Sequence, residues 1–201
     1  MLGSGARRPD RGFSLVELMI TITVMAILMA AVSPAIGNWM VSSRQRGAAE
    51  AVLSGLQKAR LEAIRRNQPV SFWLVASSDP TQFNATCALS SSSASWVISR
   101  NDPTGKCSDD PNVKVDDFIA FSSAGKSGKD IIVAAVDRSS AAANNVRFDA
   151  LGLVVNGANS ISTIDFTTSS SETRRLRIAI SAVGSVRLCD RDVAAPDPRA
   201  C

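Results

Sequence analysis

The sequence predicts an α+β protein in which one long N-terminal helix packs on a globular domain of antiparallel β-sheet. Residues 13–32 are almost continuously apolar, and residues 38–67 carry apolar side chains at helical spacing. From residue 70 onward the pattern changes to short apolar runs separated by turn residues, which is typical of strands. Seven or eight short strands after a single helix favour an antiparallel sheet.

The first part of the helix is nearly free of polar side chains. Only four residues in 13–32 are polar: Ser14, Glu17, Thr21 and Thr23. A helix of this length extends roughly 30 Å, the thickness of the apolar core of a bilayer. Three arginines come before it: Arg7, Arg8 and Arg11. Because basic residues favour the cytoplasmic side, residues 13–36 are predicted to cross a membrane once, with the N-terminus in the cytoplasm and the rest exported.

An ordinary secretory signal and a plain signal anchor are the alternatives for this segment. The former would be cleaved near the small residues at 33–35. Neither explains Glu17, because a carboxylate inside an apolar span costs about 2.5–3.5 kcal/mol on insertion scales. Such a residue usually has a function and a partner, although a side chain reaching back to the membrane edge is the simpler interpretation.

The residues around Glu17 read Arg11-Gly12-Phe13-Ser14-Leu15-Val16-Glu17-Leu18-Met19-Ile20. This segment resembles the class III signal of type IV prepilins. The resemblance implies that a prepilin peptidase/N-methyltransferase removes the leader, residues 1–12, by cleavage between Gly12 and Phe13, and methylates the new N-terminus at Phe13. It also implies that Glu17 neutralises the α-amino group of a neighbouring subunit during assembly. The protein would then lie in the lipid of the bacterial inner membrane, with its C-terminal domain in the periplasm, before moving to a pilus at the cell surface.

The second part of the helix, residues 37–67, is predicted to be amphipathic. Four apolar residues share one face at helical spacing: Val52, Leu56, Ala59 and Ala63. Pro34 lies between the two parts and predicts a kink or local melting, because proline lacks the N–H of the helical ladder. A proline at this distance from Phe13 also resembles the pilin pattern.

The C-terminal globular domain, residues 68–201, is predicted to be rich in strands. The eight candidates are Val70–Ala76, Trp96–Arg100, Asp117–Phe121, Ile131–Val136, Val146–Ala150, Ile161–Thr168, Leu176–Ser181 and Ser185–Cys189. The serine-rich stretch 89–95 is predicted to be a loop.

Four cysteines, all within this domain, point to disulfides. No two of them form a Cys-x-x-Cys motif and the chain has no histidine, so the sequence favours no metal site. An exported domain meets an oxidising compartment, where disulfides persist. Three connectivities are open. We predict the sequential pairing, Cys87–Cys107 and Cys189–Cys201, because each bond closes a short loop rich in turns, worth about 3 kcal/mol.

The layout of the whole chain is similar to the GspH/FimT family, which includes FimU-like minor pilins and minor pseudopilins. The similarity rests on three segments: Arg147–Gly152, Trp96–Ile98, and the final hairpin between Arg177 and Cys189. It implies a pilin-like fold and a minor pilin at or near the pilus tip that initiates assembly with the major pilin and other minor pilins. A type II secretion minor pseudopilin of the same architecture is the alternative.

The remaining sequence features do not indicate an enzyme. The absence of histidine excludes a histidine general base. The Gly125-Lys126-Ser127 segment lacks the upstream glycine of a phosphate loop, since residue 120 is alanine. The acidic pairs at 109–110 and 116–117 lack the spacing of a calcium-binding loop. We therefore predict no cofactor, no metal and no small-molecule substrate.

Arginines near the C-terminus raise a second hypothesis, DNA binding. The candidates are Arg174, Arg175, Arg177, Arg187 and Arg191. DNA-capturing members of the FimT branch have a Gly-Arg-x-Arg motif near the C-terminus. The corresponding segment here is Gly184-Ser185-Val186-Arg187, in which serine replaces the first arginine. Ordinary surface charge, or docking on acidic partner pilins, is the other interpretation.

Overall fold

The structure, a computed structural model, describes residues 14–77, 87–107, 118–123, 130–155, 157, 160–169 and 173–201, with residues 31–36 and 118 described by their backbone alone. Within these ranges the chain forms one helix and nine strands. They are α1 (Leu15–Arg66), β1 (Val70–Ala76), β2 (Ala88–Leu89), β3 (Trp96–Ser99), β4 (Phe118–Ser122), β5 (Ile131–Val136), β6 (Asn145–Phe148), β7 (Thr163–Thr168), β8 (Leu176–Ile180) and β9 (Val186–Asp190). The predicted α+β class is confirmed.

The chain divides into two compact units, and the boundary between them falls within the long helix. The first unit ends at Gly37, and the second extends from Asn38 to Cys201. The backbone of α1 stays helical across Pro34, so the helix does not melt there, and the kink that was the other predicted outcome stays a prediction. A proline removes one hydrogen bond of the ladder, and the bonds of the adjoining turns remain to hold the helix. No helix in the described ranges is both long and apolar enough to cross a membrane. The span predicted for residues 13–36 stays a prediction.

The strands form two sheets in which every pair is antiparallel. The first sheet has the order β2-β1-β3-β4, and β6 also pairs with β1. The second has the order β5-β7-β8-β9. Strands β1 and β3 are buried on both faces, which explains their nearly continuous apolar sequences. Strand β7 alternates between buried and half-buried residues, as expected where one face covers the core.

The eight predicted strands correspond to β1 and β3–β9. Two of them, Val70–Ala76 and Ile131–Val136, have the predicted bounds. The two-residue strand β2 falls at the start of the segment that was predicted to be a loop. It forms because Val75 and Ala76 of β1 pair with Leu89 and Ala88, a long-range contact that two residues cannot signal by themselves.

The core of the second unit forms where one face of α1 contacts the sheets. All four residues of the predicted helical stripe are fully buried: Val52, Leu56, Ala59 and Ala63. They pack in one cluster with phenylalanines of both sheets, Phe72, Phe148 and Phe166. A smaller cluster surrounds the bond between Cys87 and Cys107. Burial of the stripe therefore fixes the second part of α1 on the sheets.

Candidate functional site

The start of α1 is capped by the chain itself. The Ser14 Oγ accepts a hydrogen bond from the Val16 N–H at 3.2 Å, and the Ser14 carbonyl accepts one from the Leu18 N–H at 3.1 Å. Serine is a favoured cap because its hydroxyl satisfies an amide that has no partner within the helix. Glu17 lies in the first helical turn, where the helix dipole favours a negative charge. The serine and the glutamate thus support the same helix start.

The first part of α1 presents large apolar side chains on every side. Every large apolar side chain from Leu15 to Met29 is more than half exposed, with Leu15 at 71% and Met29 at 61%. The two threonine hydroxyls donate to the helix backbone, Thr21 to the Leu18 carbonyl and Thr23 to the Met19 carbonyl. A helix that is apolar all round needs an apolar environment to cover it.

Glu17 is the one ionisable residue of this apolar segment. Its side chain is exposed, and it has no hydrogen-bond or ion-pair partner among the described residues. The carboxylate is therefore available to a group from outside the chain. Gly12 and Phe13, the predicted cleavage and methylation sites, lie outside the described residues.

Two disulfides close loops in the second unit: Cys87–Cys107 and Cys189–Cys201. This is the sequential pairing predicted from the loop lengths. The second bond holds the C-terminal segment against β9, where the Asp190 N–H also donates to the Arg199 carbonyl at 2.7 Å. The Nη2 of Arg187 donates to the backbone oxygen of Cys201 at 2.8 Å.

The arginines proposed to bind DNA lie together on β8, β9 and the segments beside them. Asp165 on β7 is opposite Arg177 on β8 in the sheet register. Arg177 donates to both carboxylate oxygens of Asp165, from Nε at 2.6 Å and from Nη2 at 2.8 Å, and Arg191 donates to the same carboxylate at 3.0 Å. One aspartate thus binds two of the five candidates.

The other candidates also have partners within the chain. Arg175 donates to Asp192 from Nε and from its backbone N–H, each at 2.7 Å, and Arg174 lies 3.7 Å from a carboxylate oxygen of Asp190. The hydrogen bond with Asp192 raises the pKa of Arg175, and the hydrogen bonds from Arg175 lower the pKa of Asp192 below its ordinary value. The side chain of Arg199 likewise lowers the pKa of Asp197 to about 2.

A groove of about 470 Å³ lies between the second part of α1 and the end of the second sheet. Its walls are Ser42, Gln45, Arg46, Arg174, Leu176, Leu188, Cys189, Asp190, Pro198 and Arg199. Each of its three arginines has a carboxylate nearby, from Glu50, Asp190 and Asp197 respectively. The positive charge of the groove is thus largely balanced from within the chain.

Two polar residues that hold this region together were not singled out from the sequence. Gln45 is 1% exposed, and its Nε2 donates to the carbonyls of Phe166 at 2.7 Å and Arg174 at 2.8 Å. Its position was a usable signal, because it continues the helical spacing of the buried stripe toward the N-terminus. The sequence contains a weaker indication for Asp165, which is the single charged residue of strand β7. No group of three potential metal ligands occurs among the described residues.

Comparison with known proteins decides the family. The family model described as "Type II transport protein GspH" matches residues 48–184. The chain belongs to the GspH family. A second model, the prokaryotic N-terminal methylation motif, matches residues 7–33 of this GspH family member. The resemblance to the GspH/FimT family and to type IV prepilins is therefore confirmed.

Two solved structures are similar to this GspH family member, both crystal forms of the type IV minor pilin FimU from Pseudomonas aeruginosa. The first is 15% identical, covers 73% of this chain and 88% of that chain, and has a TM-score of 0.47. The second is 16% identical, covers 71% and 90%, and has a TM-score of 0.44. A comparison with curated protein sequences gives no match. The GspH family comprises structural pilin-like proteins and is not known as a family of enzymes.

Proposed function

We propose that this chain is a minor type IV pilin that is incorporated at or near the pilus tip and initiates pilus assembly. The observation that carries the proposal is the methylation motif over residues 7–33, which includes the first part of α1 with its apolar side chains on all sides and its one carboxylate. Such a helix needs an apolar environment, which lipid supplies to a membrane-bound precursor and other subunits supply in a filament.

In this proposal the N-terminal segment has three successive roles. The span over residues 13–36 holds the precursor in inner-membrane lipid, with the second unit in the periplasm. A prepilin peptidase then cleaves between Gly12 and Phe13, and Phe13 is methylated. In the filament, the apolar surface of α1 packs among the helices of the major pilin and the other minor pilins.

Glu17 is proposed to pair with the α-amino group of a neighbouring subunit. Its carboxylate has no partner among the described residues, so nothing in the described fold competes for it. An unpaired charge among packed apolar helices would be heavily penalised, so this ion pair would select the correct axial register.

The first experiment is deletion of the gene, followed by quantification of the pili sheared from the cell surface. Loss of pili is expected, because the filament would not be initiated. Unchanged piliation would contradict the role in initiation.

Substitutions of Glu17 then test the mechanism. Glu17→Gln keeps the shape and removes the charge, whereas Glu17→Asp keeps the charge and is the matched control. We expect both precursors to lose residues 1–12, a change visible as a mass difference, but only Glu17→Asp to be recovered substantially with sheared filaments. Normal recovery of Glu17→Gln would refute the pairing.

A type II secretion minor pseudopilin is the second candidate, because the matching family model carries that description. The same deletion strain separates the two functions. A minor pilin predicts loss of pili with normal secretion, and a pseudopilin predicts normal pili with a secretion defect.

DNA binding has less support than assembly. All five candidate arginines have a carboxylate or carbonyl partner in the fold, which a phosphate would have to displace. If phosphates did bind, affinity would fall steeply with added salt. Absence of a salt-sensitive DNA mobility shift with the purified chain at low ionic strength would exclude this function.

A further inference from the structure

An exposed apolar patch lies in the second unit, far along the sequence from the apolar start of α1. We use the name apolar patch for six large side chains, each at least 40% exposed: Leu61, Ile64, Leu151, Leu153, Val155 and Val183. Leu151 is 75% exposed and Val183 is 62% exposed. Single exposed apolar residues are ordinary on protein surfaces, but a contiguous group of this kind usually marks an interaction site.

The three segments that carry the apolar patch touch one another. A β-carbon added at Gly152 would lie 2.8 Å from the Ile64 Cδ1, and one added at Gly184 would lie 1.9 Å from the Gly152 carbonyl oxygen. The Val154 N–H donates to the Ala182 carbonyl at 3.0 Å, so the turn with Leu151 and Leu153 is tied to the turn with Val183. Leu61 and Ile64 are three residues apart on α1 and therefore share a side of the helix.

The apolar patch is also held in a defined shape. Asp149 Oδ1 accepts hydrogen bonds from the N–H groups of Leu151 at 2.9 Å and Leu153 at 2.8 Å. Arg60 Nε donates to the Gly152 carbonyl at 3.0 Å and so fastens the turn to α1. A preformed surface loses little conformational entropy when a partner binds.

The rim of the apolar patch is basic. The rim comprises five charged residues within two positions of a patch side chain along the chain, Arg60, Arg65, Arg66, Glu62 and Asp149. Its sixth member is Arg147, whose carbonyl accepts the Val155 N–H at 2.9 Å, and the six together have a net charge of +2. Glu62 is shared by Arg65 and Arg66, at 2.6 and 2.9 Å, so that group keeps one positive charge. Arg147 is exposed and has no carboxylate partner among the described residues. An interface between two copies through this surface would oppose like charges.

We infer that the apolar patch docks the globular domain of a different pilin subunit, one that presents an apolar centre ringed by carboxylates. The inference rests on the proposed function, which supplies the class of partner. The apolar centre provides the contact area, and the basic rim selects an acidic partner over a second copy of this chain. This contact is separate from the packing of the apolar start of α1.

Site-specific photo-crosslinking in intact cells tests the inference. The full chain, with a benzoylphenylalanine at position 151, replaces the native copy, and the matched control has the same group at Ile132, which is 54% exposed on the edge strand β5. We expect an adduct from position 151 that mass spectrometry identifies as a different pilin subunit, and no such adduct from position 132. Adding Arg147→Glu is expected to reduce the adduct about tenfold, as for a rim charge that contributes to partner selection.

Each other outcome overturns the inference. The inference is wrong if position 151 gives no adduct, or if its adduct is with a second copy or with a protein that is not a pilin. It is also wrong if the adduct is insensitive to Arg147→Glu. Recovery of the chain with sheared filaments is measured in the same cells. A chain that reaches the filaments without the position-151 adduct contradicts the apolar patch alone, whereas a native chain that is absent from filaments contradicts the proposed function.

Discussion

Gly55 lies where α1 crosses the aromatic core, and its replacement by alanine should destabilise the protein although alanine is the better helix former. A β-carbon at Gly55 would lie 2.6 Å from Trp96 Cε2 and 2.9 Å from Phe72 Cε2. The Trp96 ring cannot easily move away, because its Nε1 donates to the Ala51 carbonyl at 3.1 Å and its centroid lies 5.7 Å from that of Phe72.

Two opposing effects decide whether Gly55→Ala raises or lowers the free energy of unfolding. Alanine in place of glycine inside a helix contributes about 1 kcal/mol of stability. An extra methyl group in a filled core costs about 1–3 kcal/mol, and contacts below 3 Å to two aromatic rings place Gly55→Ala in the upper part of that range. We expect the free energy of unfolding to fall by about 1–2 kcal/mol.

Gly47 is the matched control on the same helix. It is exposed, and an added β-carbon would meet nothing within 4 Å, so Gly47→Ala should stabilise the chain by up to about 1 kcal/mol. Urea denaturation of the purified full chain, followed by tryptophan fluorescence, measures both variants. Equal stabilisation by the two alanines would refute the reasoning, because it would mean that the Trp96 ring is not held against Gly55.

Three further predictions concern the end of the second sheet. Replacing Cys189 and Cys201 together with serine should lower the free energy of unfolding by about 3 kcal/mol, measured by the same urea titration, because the bond closes a loop of about this size. Gly184→Ala should destabilise the chain in a thermal melt, since Gly184 has a φ of 75° and its added β-carbon would strike a backbone oxygen. Arg199→Gln should raise the pKa of Asp197 from about 2 toward 3.8, as followed by carboxyl NMR, because the arginine hydrogen bond is removed. In the native chain this depressed pKa contributes stability above the ordinary value of 3.8 that is lost as the pH falls toward 2.

Local patterns in the sequence were sufficient for the helix and for eight of the nine strands that the structure describes. The buried stripe of α1 follows from helical spacing alone, since side chains three and four residues apart must share a face. The strands β1 and β5 follow from apolar runs bounded by turn residues. Strand β2 could not be found in this way, because two residues form a strand only when a long-range partner is in place.

Some features of the candidate site could likewise be predicted from neighbouring residues, whereas others required the fold. The methylation motif and Glu17 are contiguous in the chain, so their chemistry can be read without knowing the fold. The sequence also shows where arginines are numerous, but not what they contact. Pairing of Asp165 with Arg177 depends on the register of β7 against β8, which brings together residues twelve positions apart.

The apolar patch exists only because of the tertiary structure. Its side chains come from α1 and from two turns more than eighty residues further along, and each segment by itself looks like an ordinary mixture of apolar and charged residues. Only packing of the turn at Gly152 against α1 and against the turn at Gly184 gathers them on one surface. The sequence determined which segments form helices, strands and an assembly signal, because those properties depend on neighbouring residues. Which side chains remain exposed together depends on how distant segments pack, so that information exists only in the folded chain.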